Sequence, residues 1–185
     1  NPFGADHQSS EHDPNIEEGA GDLLMERQAL IGFPKTMPYD SLDAEKVRYA
    51  LRTQQFYSFL DTASLCQFVW GPSWELFGPQ ETVDFVRAVT GWEDFDLEEL
   101  LEIGERRINL MRAFNAREGL DRTDDRLPAK FFKPLTGTGP TRGVALDHAV
   151  IEGALDEYYR LAGWDATTGN PTPDTLDRLG LAWAG

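Results

Sequence analysis

A single cysteine, Cys66, is all the thiol this 185-residue sequence contains. One cysteine permits no internal disulfide, so an intracellular, cytoplasmic setting in which the thiol stays reduced is the expectation. Cationic charge is also scarce. Seventeen Lys and Arg, only four of them Lys, face 32 Asp and Glu, for a net charge of -15. Such a balance repels phosphate backbones and anionic lipid, so neither nucleic acid nor a membrane surface is an expected partner. No apolar run approaches the roughly 20 residues of a membrane span, and no signal-peptide pattern is present. Glycine-rich phosphate loops, internal repeats and strand-like alternation are missing as well.

What the sequence does hold is enough apolar material for a core: 41% hydrophobic and 11% aromatic residues set it apart from disordered chains. Residues 1–19, "NPFGADHQSSEHDPNIEEG", are the exception, reading as a loop segment ordered only in company of other chain. Residues 20–185 read as one helical domain. A short helix over Ala20 to Leu30 is stopped by Pro34 and Pro38. Asp43 opens a run free of breakers until Gly71, with Val47, Ala50, Leu51, Phe56, Phe59 and Leu60 as a rough stripe. Two abutting helices meeting near Asp61 are expected there. "PQETVDFVRAVTG" places Pro79 at a helix start and Gly91 at its stop.

The clearest helix is "DLEELLEIGERRINLMRAFNAREG", where Leu97, Leu101, Gly104, Ile108 and Met111 recur at helical spacing beside Phe114, with Gly119 as the stop. A long Pro-, Gly- and Thr-rich connection follows. Leu146, Val150, Ala154, Leu155, Tyr158 and Ala162 then mark a helix ended by Gly163, and a short last helix covers Asp174 to Leu179. The fold class is all-α, an irregular multi-helix bundle with long loops. Because it opens at Asn1 in loop-like sequence, the chain reads as part of a larger multidomain protein.

Three groups of residues invite chemistry. His7 and His12 flank acids in "GADHQSSEHD", a composition able to hold a metal or shuttle a proton, and equally that of exposed loop histidines. Glu98, Glu99, Glu102 and Glu105 sit at helical spacing near several Arg residues, the pattern of a salt-bridged face. Cys66, in "DTASLCQFVW", is by composition either a small buried hydrophobe or a metal ligand.

Longer stretches decide between these. "GERRINLMRAFNAREGLDRTDDRLP" (104–128) resembles the C-terminal part of the tungsten-containing aldehyde:ferredoxin oxidoreductases. "GWDATTGNPTPDTLDRLGL" (163–181) is similar to that family's ending, and "GADH" (4–7) to a histidine-bearing segment upstream. The family's D-x-x-G-L-C motif here reads Asp61, Thr62, Ala63, Ser64, Leu65, Cys66. Ser64 replaces a glycine that serves either close backbone approach or a positive φ.

The resemblance implies that Cys66 is the fourth cysteine ligand of a [4Fe-4S] cluster, that Asp61 holds a pterin, and that the Leu65 backbone passes along it. His7 is implied as a proton-handling or aldehyde-orienting residue near the metal. A thiolate suits cluster iron, and a carboxylate accepts hydrogen bonds from pterin ring nitrogens. Five residues apart on a continuous helix, Asp61 and Cys66 would point about 140° away from one another, so the motif favours a turn entering a helix.

The family's other cluster cysteines and its pterin-binding domain are not in this sequence. The implied protein is therefore the C-terminal portion of an enzyme that oxidises aldehydes to carboxylic acids at a tungsten (or molybdenum) bis-pterin centre. Its partners would be the remainder of the parent chain, an aldehyde and a ferredoxin-like electron acceptor, and the isolated chain is expected to be inactive. The alternative is a non-catalytic, acidic helical interaction module with Cys66 in its core. If the enzyme reading holds, the Asp61–Cys66 and Asn1–His12 segments should share an apolar face resembling a torn interface.

Overall fold

A computed structural model describes Pro2, Gly4 and residues 6–12, 21–71 and 74–185. Among these residues there are seven α-helices and no strand: α1 Asp22–Leu30, α2 Ala44–Thr62, α3 Gln67–Trp70, α4 Pro79–Thr90, α5 Leu97–Arg117, α6 His148–Ala162 and α7 Pro173–Arg178. One isolated antiparallel bridge joins Trp164 to Pro171. Of the expected 1–19 loop, residues 13–19 and Asn1, Phe3 and Ala5 lie outside the described residues, while 6–12 are irregular, with turns and bends over 7–10.

Helix starts follow from capping chemistry, which satisfies amide donors that a helix cannot pair internally. Asp43 accepts from the Lys46 N–H at 2.9 Å, Asp96 from Glu99 at 2.9 Å, and Asp147 from Ala149 at 2.7 Å. Pro79 opens α4, and Gly91 ends it with φ +72°. Gly163 ends α6 with φ +70°.

α2 is the central element. It packs along α5 on one side and against α6 on another. It is buried almost all round, including Tyr49, Leu51, Phe56, Tyr57, Phe59 and Leu60, so the rough stripe read from the sequence understates its burial. α5 approaches it closely at Gly104, where a side chain would meet the Gln55 backbone.

Two departures from the sequence reading concern α5 and α6. Phe114 is 60% exposed and Val150 48% exposed. On α5 the inward positions beyond Ile108 belong instead to Asn109, Arg112 and Ala113. Asn109 accepts from the Trp164 indole N–H at 2.8 Å and each of the three Arg112 guanidinium nitrogens donates a hydrogen bond, so these polar groups are buried with partners in place of water. Three of the four acids expected to form a salt-bridged face on α5 are paired: Glu98 to Arg52 (2.6 Å), Glu102 to Arg106 (2.8 Å) and Glu105 to Arg178.

Candidate functional site

The sequence 61–66 lies where α2 ends and α3 begins. As expected, two helices meet near Asp61: α2 runs through Thr62, α3 begins at Gln67, and the turn between them covers residues 63–66. The hydrogen bonds explain it. The Leu65 N–H donates to the Leu60 carbonyl (2.9 Å) and the Ser64 N–H to the Asp61 carbonyl (3.2 Å), the crossed pair of a Schellman helix end. Its left-handed residue is Ser64, with φ +56°. Leu65 is the apolar residue that such an end turns inward, and it packs with Leu60 on the main core cluster.

The six-residue motif is thus a physical unit. Asp61 is on the last turn, Ser64 supplies the left-handed twist, Leu65 anchors the turn, and Cys66 is the N-cap residue of α3. Of the two reasons open for glycine at position 64, positive φ is the one that this backbone displays. A Ser64→Gly chain should consequently be more stable, by about 0.5–1 kcal/mol, and Ser64→Val less stable. Thermal unfolding of the two variants checks the order; a Gly variant less stable than wild type would contradict it.

Cys66 is exposed, which corrects the reading of it as a core residue. Its carbonyl accepts from the Val69 and Trp70 N–H groups (3.0 and 3.1 Å), so its backbone is tied down beside an accessible side chain. Around it the surface is apolar. Phe68 is 74% exposed, and Trp70 stacks on Phe77 with ring centroids 4.5 Å apart. Asp61 is partly exposed; one carboxylate oxygen accepts from Gln67 (2.8 Å) and the other faces the Arg107 guanidinium of α5 at 3.1 Å.

His7 is exposed, and its carbonyl accepts from the His12 ring Nε2–H at 3.0 Å. It lines a groove of about 1020 Å³ whose other walls include Val47 and Ala50 of α2 and Ala154 and Tyr158 of α6. Asp61 borders a separate, small crevice of about 20 Å³ shared with Ser9 and Tyr57. The structure therefore brings Asp61, Leu65 and Cys66 together in one turn. It lays the His7-bearing segment against the same helix, with His7 itself opening into a different cavity.

Two participants were missed in the sequence. Arg107 belongs to an Arg pair that reads as part of a salt-bridged helix face, and only the α2–α5 packing shows it facing Asp61. Glu11 is 5% exposed in a polar stretch with no periodicity to mark it as buried. Its carboxylate accepts from the Tyr57 hydroxyl at 3.1 Å and from the His12 N–H at 2.8 Å.

Could these residues serve the groups implied by the sequence? Asp61 offers a fixed, partly exposed carboxylate and Cys66 an accessible sulfur in apolar surroundings, which suit a pterin and one cluster corner respectively. Among the described residues no group of three His, Cys, Asp or Glu could hold a metal by itself. A metal bound here would need further ligands from outside the described residues. Among the described residues, no helix is long and apolar enough to cross a membrane.

Comparison with known proteins points the same way. The family model for aldehyde ferredoxin oxidoreductase, domains 2 & 3, matches residues 1–181. The tungsten-containing aldehyde ferredoxin oxidoreductase of Pyrococcus furiosus is 33% identical over 156 residues, covering 83% of this chain and 24% of that protein. Its Pyrococcus horikoshii counterpart is 34% identical over 155 residues, 82% of this chain and 24% of the relative. The chain thus spans about a quarter of the length of these relatives. Among solved structures, the active-site complex BamBC of benzoyl coenzyme A reductase, bound to 1,5-dienoyl-CoA, shares the fold with a TM-score of 0.67 at 24% identity, over 96% of this chain and 28% of that one.

Proposed function

Because the chain belongs to the aldehyde ferredoxin oxidoreductase family, we propose that it is the helical C-terminal portion of an enzyme that converts an aldehyde and water to a carboxylic acid, two protons and two electrons. The observation that carries this reading is the Schellman end of α2, which presents Asp61 and Cys66 at one accessible edge. When bound, a tungsten (or molybdenum) bis-pterin would supply oxygen transfer and a [4Fe-4S] cluster would pass electrons singly to a ferredoxin-like acceptor.

This chain's residues would do the following. Cys66 contributes one thiolate to the cluster, its position set by the turn at Ser64 and by the bonds to its carbonyl. Asp61 accepts hydrogen bonds from pterin nitrogens, and the backbone at Leu65 runs beside the same group. His7, at the mouth of the groove, orients the aldehyde or carries a proton at its imidazole. The exposed aromatics near Cys66 support a partner surface belonging to the remainder of the parent chain. One thiolate cannot retain a cubane, so the isolated chain holds no cluster and turns over no aldehyde. We place the parent in the cytoplasm, where Cys66 stays reduced.

The alternative of a non-catalytic acidic module rested on a core cysteine, and the exposed Cys66 removes that premise. Anaerobic expression of the full-length protein, with assays of tungsten, molybdenum and iron and of aldehyde-dependent dye reduction, tests the proposal. Metal-loaded protein that reduces the dye with aldehyde is the expected result; reconstituted protein free of iron and without aldehyde turnover would refute it.

A further inference from the structure

We propose that Glu11 and Tyr57 form a latch that positions His7, making Glu11 a positioning residue for proton handling in the groove. This rests on the reading of His7 given above. The starting observation is a carboxylate where none is expected: Asp6, His7 and His12 are exposed, yet Glu11 among them is 5% exposed. Burying a carboxylate is unfavourable unless hydrogen bonds replace water, so Glu11 is buried for the bonds it makes.

Those bonds lead in two directions. Inward, Oε2 accepts from the hydroxyl of Tyr57, which is 2% exposed in the core of α2 and packs edge-on to Phe56. Burial and, after it, the neighbouring Glu11 carboxylate push this hydroxyl far above the ordinary tyrosine range, so it remains a donor. Outward, Oε1 accepts from the His12 N–H, and the His12 ring donates to the His7 carbonyl. Three hydrogen bonds therefore connect the central helix of the fold to the backbone of His7. Within the segment, Asp6 accepts from the Gln8 N–H and the Ser9 hydroxyl, which closes a local turn.

The anchor point matters because Tyr57 stands four residues before Asp61, about 6 Å along the same side of α2. One helix face thus fixes both the segment bearing His7 and the carboxylate proposed for the pterin. An acid–base group acts efficiently only if held to within a fraction of an ångström, and a misplacement near 1 Å can lower turnover by about 100-fold.

The test uses full-length protein carrying Glu11→Ala, Glu11→Gln or Tyr57→Phe. Glu11→Ala should lower kcat by about 10- to 100-fold with KM and metal content held, and should speed amide hydrogen exchange across residues 6–12. Glu11→Gln should restore both, since its amide can accept from His12 and donate to the Tyr57 oxygen. Tyr57→Phe keeps the ring in the core, removes the donor, and should follow Glu11→Ala; it decides the matter if the alanine variant fails to fold. Wild-type kcat and exchange in Glu11→Ala or Tyr57→Phe would overturn the latch, as would a Glu11→Gln variant with wild-type exchange and alanine-like kcat. A wild-type protein inactive on aldehydes would refute the functional reading separately, and the exchange measurements would still decide the latch.

Discussion

Gly104→Ala in the full-length protein is expected to remove about 3 kcal/mol or more of stability from this domain. A β-carbon at position 104 would stand 1.8 Å from the Gln55 carbonyl oxygen, 2.7 Å from its carbon and 3.2 Å from its Cα. These are backbone atoms of α2, the helix at the centre of the fold, and cannot swing aside as the end of a side chain would. α2 and α5 would have to separate, loosening the contacts of Phe56, Phe59, Leu100 and Leu101 on either side of the crossing. Overpacking typically costs about 1–3 kcal/mol, and backbone contacts place this site at the upper end or beyond. The better helix propensity of Ala returns at most about 1 kcal/mol. The melting temperature of the domain should fall by roughly 6–12 °C. A melt within a degree of wild type would show that the two helices do not approach as described.

Arg112→Met should be nearly as damaging, at about 3 kcal/mol. Arg112 is 4% exposed and joins three parts of the chain. Its two terminal nitrogens hold Asp125 at 3.0 and 2.6 Å, its Nε donates to the Gly169 carbonyl at 2.8 Å, and its guanidinium lies 5.1 Å from the Trp164 ring centre. Asp125 also accepts from the Tyr159 hydroxyl at 2.5 Å, whose proton is held more firmly through burial and then through this bond. Losing the cation would strand a carboxylate and a carbonyl. Breaking a buried pair costs about 3–5 kcal/mol; the lower end applies because the Asp125 side chain keeps 25% of its exposure to water. Replacing both members, as Arg112→Met with Asp125→Leu, should recover much of the loss. Denaturant unfolding of the two singles and the double measures the coupling, and strictly additive losses would contradict it.

How far the sequence could be read is clearest from individual elements. The ends of α4 and α6 were legible because Pro79, Gly91 and Gly163 each carry a backbone preference that acts locally. Gly104 stood out at an inward position of α5, but its reason, the Gln55 backbone of another helix, is a tertiary fact. The break near Asp61 was legible from the motif, but that Ser64 takes the left-handed conformation was not, because serine itself carries no local preference for it. Phe114 shows the opposite failure: at helical spacing with the core stripe, it lies on the surface while Arg112 takes the interior.

The site divides in the same way. Asp61, Leu65 and Cys66 were accessible as a motif, since neighbours in sequence stay neighbours in a turn. Glu11 and Arg107 were not, because what distinguishes them is burial against α2 or a partner across the α2–α5 crossing. Exposure of Cys66 was likewise beyond composition, which favours burial for a lone cysteine.

The central claim is that the turn closing α2 delivers Cys66 to an iron–sulfur cluster. Its most direct test is low-temperature electron paramagnetic resonance of reduced, full-length Cys66→Ser protein, read beside its iron and tungsten contents. The account predicts that the cubane signal is lost or altered and iron depleted, with the fold intact by circular dichroism. A variant with the wild-type signal and the wild-type iron content would contradict it.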